Sequence, residues 1–161
     1  MTDSPIRKAL PDFRWERVET LRYKAEGSAP FRDVTRQVLF GGDATRCEWR
    51  YFEVAPDGYT TLERHHHAHA VMILRGSGRC LVGERVHAVG ERDLVAVPPL
   101  AWHQFRAGPR APLGFLCLVD RERDRPQLPG PDDLAALRRV PEVAAFIRAG
   151  DDRGVNGLPD G

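Results

Sequence analysis

Apolar residues in this chain recur at a spacing of two more often than at three or four. Across residues 47–55 the alternation places Glu48, Arg50, Phe52 and Val54 on one face and Cys47, Trp49, Tyr51 and Glu53 on the other. That is the period of a strand, whose successive side chains point to opposite faces. Pro56, Asp57 and Gly58 predict a turn at its end. Shorter runs of the same kind follow at 71–75, 79–82, 84–89, 93–97, 101–107 and 113–119, bounded by glycine or proline. Upstream, 34–40 reads as a strand ended by Gly41 and Gly42, and 27–30 as a turn. Trp15, Val18 and Leu21 recur at a mixed spacing that does not separate strand from helix. Many short strands with this punctuation predict an all-β sandwich or barrel and not alternating βαβ units.

The pattern changes after Val119. Residues 120–125 are charged throughout and predict a solvated connector. Residues 132–139 predict a short helix with aspartates at its N-terminal end and arginines at its C-terminal end, as the helix dipole favours. A second short helix is expected over 141–149, stopped by Gly150. Leu134, Leu137, Val143, Phe146 and Ile147 give these two C-terminal helices apolar faces that must dock on the sheet's outer face or on a partner subunit. Residues 1–11 read as a loose leader and 151–161 as a frayed end. The chain thus divides into an N-terminal extension with strands packing on a barrel (1–45), the barrel itself (46–120), and a connector with helices (121–161), all in one domain. Its 161 residues suffice for one core of ordinary size.

Composition narrows the function classes. A hydrophobic content of 42% with 29% charged residues is that of a globular chain and not a disordered one. Lys plus Arg number 24 against 23 acidic residues, and the arginines are scattered, so neither nucleic acid nor an anionic membrane is an expected partner. No run approaches the ~20 apolar residues needed to cross a bilayer, and no signal peptide is apparent. Cys47, Cys80 and Cys117 are far apart and read as buried free thiols, which fits a cytoplasmic location.

The chemistry concentrates in residues 58–76. Four of the six histidines, His65, His66, His67 and His69, fall there, with Glu63 just before them. Neutral imidazole is the commonest side-chain ligand for divalent transition metals, and a carboxylate can join it. If the segment were extended, Glu63, His65, His67 and His69 would share one face and His66 would point away. A solvated histidine-rich loop is the bland alternative; the glycine turn before the run and the strand signal after it weigh against it.

Pro56, Gly58, Glu63, His65, His69 and Gly76, followed by Pro98 and His103, carry a resemblance. In this order they resemble the two short motifs of the cupin superfamily, small jelly-roll or double-stranded β-helix barrels. Glu63 and His65 fall where the family has His-x-His, His69 where it has glutamate, and His103 on the histidine of the second motif. Arg92 and Leu100 replace glycines there, and Ala107 replaces an asparagine. The likeness covers roughly 46–120, about half of the chain. It implies one divalent transition metal, Fe or Mn favoured and Ni, Cu or Zn also suited, held by Glu63, His65, His69 and His103. A register with a shortened loop would use His65, His67 and His69 instead and leave Glu63 outside the ligand set.

Four protein ligands on an octahedral ion leave two neighbouring positions for a chelating substrate, or for substrate and O2. His67, where it is not a ligand, is a candidate proton carrier, and Tyr51 a second candidate catalytic group, with Arg50 an alternative hydrogen-bond donor to substrate. His66 and His87 are expected to face outward. Val71, Ile73, Phe105, Phe115 and Cys117 are expected to line the cavity, which suits a small enolic, phenolic or diketone-like molecule more than a sugar phosphate. The resemblance therefore points to an oxidoreductase of dioxygenase type. A non-catalytic small-molecule-binding or sensing cupin is one alternative, and a metal-dependent isomerase or lyase another. It also implies a homodimer paired through its sheets.

Overall fold

The computed structural model describes residues 5–25 and 27–150. Part of the expected leader is ordered: β1 (Ala9–Leu10) and β2 (Arg14–Trp15) form a small antiparallel hairpin. The frayed end expected at 151–161 lies outside the described residues. After the hairpin come β3 (Leu21–Arg22), β4 (Arg32–Phe40) and β5 (Cys47–Tyr59), then β6 (His69–Arg75), β7 (Ser77–Val82) and β8 (Arg85–Gly90). The chain continues through β9 (Leu94–Val97), β10 (His103–Ala107) and β11 (Leu113–Asp120) to α1 (Pro131–Leu137) and α2 (Pro141–Phe146).

From β3 onward every strand pairing is antiparallel, in one curled sheet of order β8-β7-β10-β5-β11-β6-β9, with β4 on the other edge of β5 and β3 beyond it. This is an all-β roll, as the alternation predicts, and the jelly roll that the resemblance implies.

The turn expected at Pro56–Gly58 is not there. Strand β5 runs on to Tyr59, and the local chemistry bends it instead. Asp57 takes a left-handed φ of 61°, and the register against β4 shifts between Arg32 and Val34. A Cβ on Gly58 would stand 2.7 Å from the Arg32 carbonyl oxygen, so only glycine fits. The bend lets one long strand serve both halves of the roll: β5 pairs with β11 over 47–54 and with β10 at Tyr59.

Strand alternation sorts the side chains into two apolar clusters. Phe52, Val54, Val71, Ile73, Phe105 and Phe115 fill the inside of the roll. On β7, Cys80 points into that core while its neighbour Leu81 points out. Leu81, Leu62 and Trp102 receive Leu134, Leu137, Val143, Phe146 and Ile147, so the helices cover the sheet's outer face. Each such side chain fully buried is worth about 1.5–3 kcal/mol. Gln104 fastens the end of this layer, donating to the Arg148 carbonyl at 2.8 Å and accepting from the Arg148 amide at 2.9 Å. No helix among the described residues is long and apolar enough to cross a membrane.

Candidate metal centre

The histidine segment is not one extended strand. Glu63 and Arg64 make isolated bridges to His103 and Gln127, the chain bends at His66 and His67, and β6 begins only at His69. The bend gathers the imidazoles all the same. His65 stacks on His67 with ring centroids 3.7 Å apart and on His69 at 4.3 Å, and the His103 ring stands edge-on 4.8 Å from His65. His103 arrives from β10, whose first residue pairs with Val82 of β7. One ligand nitrogen each from His65, His69 and His103 lies within 4.8 Å of the others.

Hydrogen bonds orient these rings. Nδ1 of His65 lies 2.7 Å from the His67 carbonyl oxygen and Nδ1 of His103 lies 3.0 Å from that of Ala101, so both nitrogens donate there and each Nε2 keeps its lone pair. His65 Nε2 is buried and has no hydrogen-bond partner. Burial, then the neighbouring His103 and His67, lower the His65 pKa to about 4. Burial is also the main cause lowering His69 and His103. Neutral rings that converge, one of them with a buried nitrogen that has no partner, are what a divalent transition metal requires, so the residues fit the group that the motifs imply.

Two further groups stand at the cluster. His67 Nε2 is 3.2 Å from His69 Nε2, and its Nδ1 is 2.7 Å from Asp124 Oδ1. Asp124 also accepts the backbone N–H groups of His66 and His67, at 2.8 and 3.2 Å. These bonds, the His66 amide foremost and the His67 ring next, hold its carboxyl well below the usual range. Glu63 is buried beside His103, with its carboxylate bonded to the Lys24 ammonium.

The cluster opens into a cavity of about 220 Å³. Phe52, Phe105, Phe115 and Cys117 form an apolar wall, and Lys24, Arg36, Arg50 and Arg123 stand among the remaining lining. Val71 and Ile73, expected on this surface, are instead buried in the core behind it. Cys117 Sγ lies 3.4 Å from His69 Nδ1 and 3.8 Å from Arg50 Nη2. Burial pushes this thiol up, and the Arg50 guanidinium pulls it partly back.

Tyr51 is not brought to the site. Alternation along β5 turns Arg50 and Phe52 inward and Tyr51 outward, where it packs against Phe13 and Trp15 and donates to Glu53 at 2.8 Å. His66 and His87 are exposed. The thiols are free, with Cys80 and Cys117 buried and Cys47 half-buried.

Lys24, Arg36, Arg123 and Asp124 come from outside 46–120 and have no counterpart among the sequence expectations. For Arg36 a signal existed, since it shares a strand face with Val34 and Val38 and faces Phe52 in the β4–β5 register. Asp124 sits in a charged run that offers none.

A rolled antiparallel sheet with a convergent histidine cluster inside it defines a metal-site cupin barrel. The comparisons agree: residues 50–119 match the cupin domain model, and the chain belongs to the cupin superfamily. It is 57% identical over 145 residues to 1-methylthio-D-xylulose 5-phosphate methylsulfurylase of Rhodospirillum rubrum, covering 90% of this chain and 93% of that one. Among solved structures, a cupin 2 conserved barrel domain protein from Rhodopseudomonas palustris superposes with a TM-score of 0.85 at 55% identity, over 89% of this chain and 99% of that one. A cupin-2 domain protein of Rhodospirillum rubrum gives 0.80 at 57% identity, over 89% and 96%.

Proposed function

We propose that this chain is a metal-dependent enzyme that removes the methylsulfanyl group from C1 of a 1-methylthio ketopentose 5-phosphate. The observation that carries the reading is Cys117, a thiol inside the cavity and 3.4 Å from a histidine of the cluster. The relative from Rhodospirillum rubrum, named for methylsulfur chemistry on such a substrate, supports it.

His65, His69 and His103 hold the cation in this proposal, and His67 or Glu63 completes the set. For His67 speaks its Nε2, 3.2 Å from that of His69, since metal–nitrogen bonds of ~2.1 Å put neighbouring ligands roughly 3 Å apart. For Glu63 speaks its place in the first motif, with Lys24 as the counter-charge it already holds. The metal, when bound, supplies a Lewis acid for the ketone oxygen at C2.

The protein supplies the rest. The Cys117 thiolate attacks the thioether sulfur; the S–S bond forms as the C1–S bond breaks. The bonding pair passes to C1 and is shared with the C2 oxygen. His69 Nδ1, when it carries a hydrogen, donates to the thiolate, and Arg50 adds positive charge beside it. A proton delivered to C1 gives the 1-deoxy ketose phosphate. Where Glu63 completes the ligand set, the His67–Asp124 pair is placed to deliver that proton. Cys117 is left as a methyl disulfide, which a small external thiol attacks, taking the methylsulfanyl group and restoring the cysteine.

The test supplies the metal-loaded protein with 1-methylthio-D-xylulose 5-phosphate and a small thiol, and in parallel monitors O2 uptake with a panel of enols and catechols. Conversion of the thioether into the 1-deoxy ketose phosphate and a mixed disulfide is expected. O2 consumption on the panel with the thioether untouched would restore the dioxygenase reading, which has less support in a cavity holding four cationic side chains. The homodimer belongs to the same proposal. Met72 and Leu94 pair across β6 and β9 and stand exposed, and Met72→Glu is expected to give monomers in sedimentation.

A further inference from the structure

The cationic side chains of the cavity are unequally matched by carboxylates. Lys24 is paired with Glu63, and Arg123 with Glu48 at 3.1 Å. Arg50 leans on the same Glu48 oxygen at 3.5 Å, and its Nε has no hydrogen-bond partner. Arg36 has no carboxylate partner among the described residues, and its Nε is buried and equally unpartnered. Leaving a buried guanidinium N–H unmade is costly unless something else fills the place. Two such groups open to one cavity are a site that an anion completes.

Their spacing specifies the anion. Arg36 on β4 faces Phe52 on β5, and Arg50 faces Val38, so the two arginines are diagonal neighbours on one inward surface. Arg50 in turn faces Cys117 on β11. Arg36 thus stands two strands across from Cys117, about 9.6 Å, and two residues along, about 6.7 Å, so roughly 12 Å separates their backbones, and both side chains reach inward from there to the cavity. An extended five-carbon chain with a terminal phosphoester, built from single bonds of ~1.5 Å, spans roughly 8 Å from C1 to phosphorus.

We infer that Arg36, with Arg50 beside it, holds the 5-phosphate and so fixes C1 against Cys117. The inference rests on the sugar-phosphate reading of the same cavity. Guanidinium groups bind phosphate through paired, charge-assisted hydrogen bonds, which a lysine cannot reproduce. Arg36 is the specificity-determining member, because Arg50 also touches the thiol and its loss would disturb the chemistry.

Calorimetry on the metal-loaded protein tests this without turnover, using D-xylulose 5-phosphate, D-xylulose and inorganic phosphate as probes. The native protein is expected to bind the sugar phosphate at least about tenfold tighter than either part alone. Arg36→Gln should weaken the sugar phosphate by about 10–100-fold and leave D-xylulose unchanged. Arg36→Lys, which keeps charge and bulk if the glutamine variant fails to melt cooperatively, should lose a smaller part. Equal weakening of sugar and sugar phosphate, or none in either variant, would overturn the anchor. Inorganic phosphate binding as tightly as the sugar phosphate would reduce it to a plain anion site and overturn it too. Selective loss in these variants, with no methylsulfur transfer by the native protein, would sink the proposed reaction and leave the anchor standing. Transfer with an unchanged KM in Arg36→Gln would do the reverse.

Discussion

Cys117 Sγ and His69 Nδ1 are 3.4 Å apart, on the adjacent strands β11 and β6, although 48 positions separate them in the chain. A thiol that only filled the core would have no need of an imidazole and a guanidinium at its sulfur. Replacing Cys117 by serine changes one atom and keeps the volume. The variant is expected to retain its metal and its melting temperature and to lose at least about a thousandfold in thioether cleavage. Mass spectrometry of the native protein caught with substrate and no external thiol should show one methylsulfanyl group on the peptide containing Cys117. A Cys117→Ser variant with near-native turnover would remove the covalent step.

The three imidazoles come from two distant parts of the chain, so each is needed for a closed site. His103→Ala and His65→Ala are each expected to drop metal content from one equivalent to near zero after dialysis, with activity following. Chelator treatment of the native protein should lower the melting temperature, and re-addition of the metal should restore it. A His103→Ala protein that keeps a full equivalent would place the cation elsewhere.

Asp124 separates the two roles open to His67. It accepts the His67 Nδ1 proton and two backbone amides while itself lying outside the cluster. If His67 completes the ligand set, Asp124→Asn should cost about 10–100-fold in metal affinity, the usual effect of removing a carboxylate behind a metal-bound histidine. If Glu63 completes it, Asp124→Asn should leave metal binding intact, lower kcat by about 100-fold, and change the pH profile of kcat. Titration of metal into the apo variant, paired with a pH-rate profile, decides between them.

The candidate catalytic role for Tyr51 is expected to fail by experiment as it does by geometry. Tyr51→Phe should keep kcat within about twofold and cost about 1 kcal/mol of stability for the lost bond to Glu53. Its neighbour is the stricter position. A Cβ on Gly114 would stand 2.0 Å from the Tyr51 hydroxyl oxygen and 2.8 Å from the ring carbon that bears it. Gly114→Ala is expected to lose at least about 2 kcal/mol by urea denaturation.

The parts of this molecule written as local periodicity were legible from sequence. Alternation named the strand that became β5 and sorted its residues into two faces without saying which turns inward, and glycine and proline marked nearly every strand end from β6 to β11. The two helices fell within a few residues of their expected spans. What escaped were features made by tertiary context. The Pro56–Gly58 signal is common to a turn and a bulge, and only the long pairing of β5 with both β11 and β10 selects the bulge. The histidine segment bends because Asp124, far along the chain, ties down the amides of His66 and His67. Arg36 and Lys24 belong to the N-terminal extension, and only the closed roll brings them to the cavity. Expecting an apolar cavity followed directly from not knowing that those strands supply part of its wall.

Packing neutral imidazoles together makes the apo protein sensitive to acid, and the sign follows from linkage. His65 titrates near 4 in the folded protein, below its ordinary value of 6.5, and His69 and His103 are shifted the same way. The unfolded chain therefore binds more protons than the folded one once the pH drops below about 6.5, and stability falls with falling pH from there. For His65 the loss continues until the folded group itself titrates, near pH 4. Above pH 7 these rings are neutral in both states and contribute no slope. The apo protein is expected to lose at least about 5 °C in melting temperature between pH 7 and pH 5. A bound cation occupies the same lone pairs and excludes the protons, so the loaded protein should melt higher at pH 7 and converge on the apo curve as acid strips the metal. His65→Gln has one fewer titrating ring and should show a shallower apo slope. A variant slope equal to that of the native apo protein would mean that the imidazole cluster does not set its acid stability.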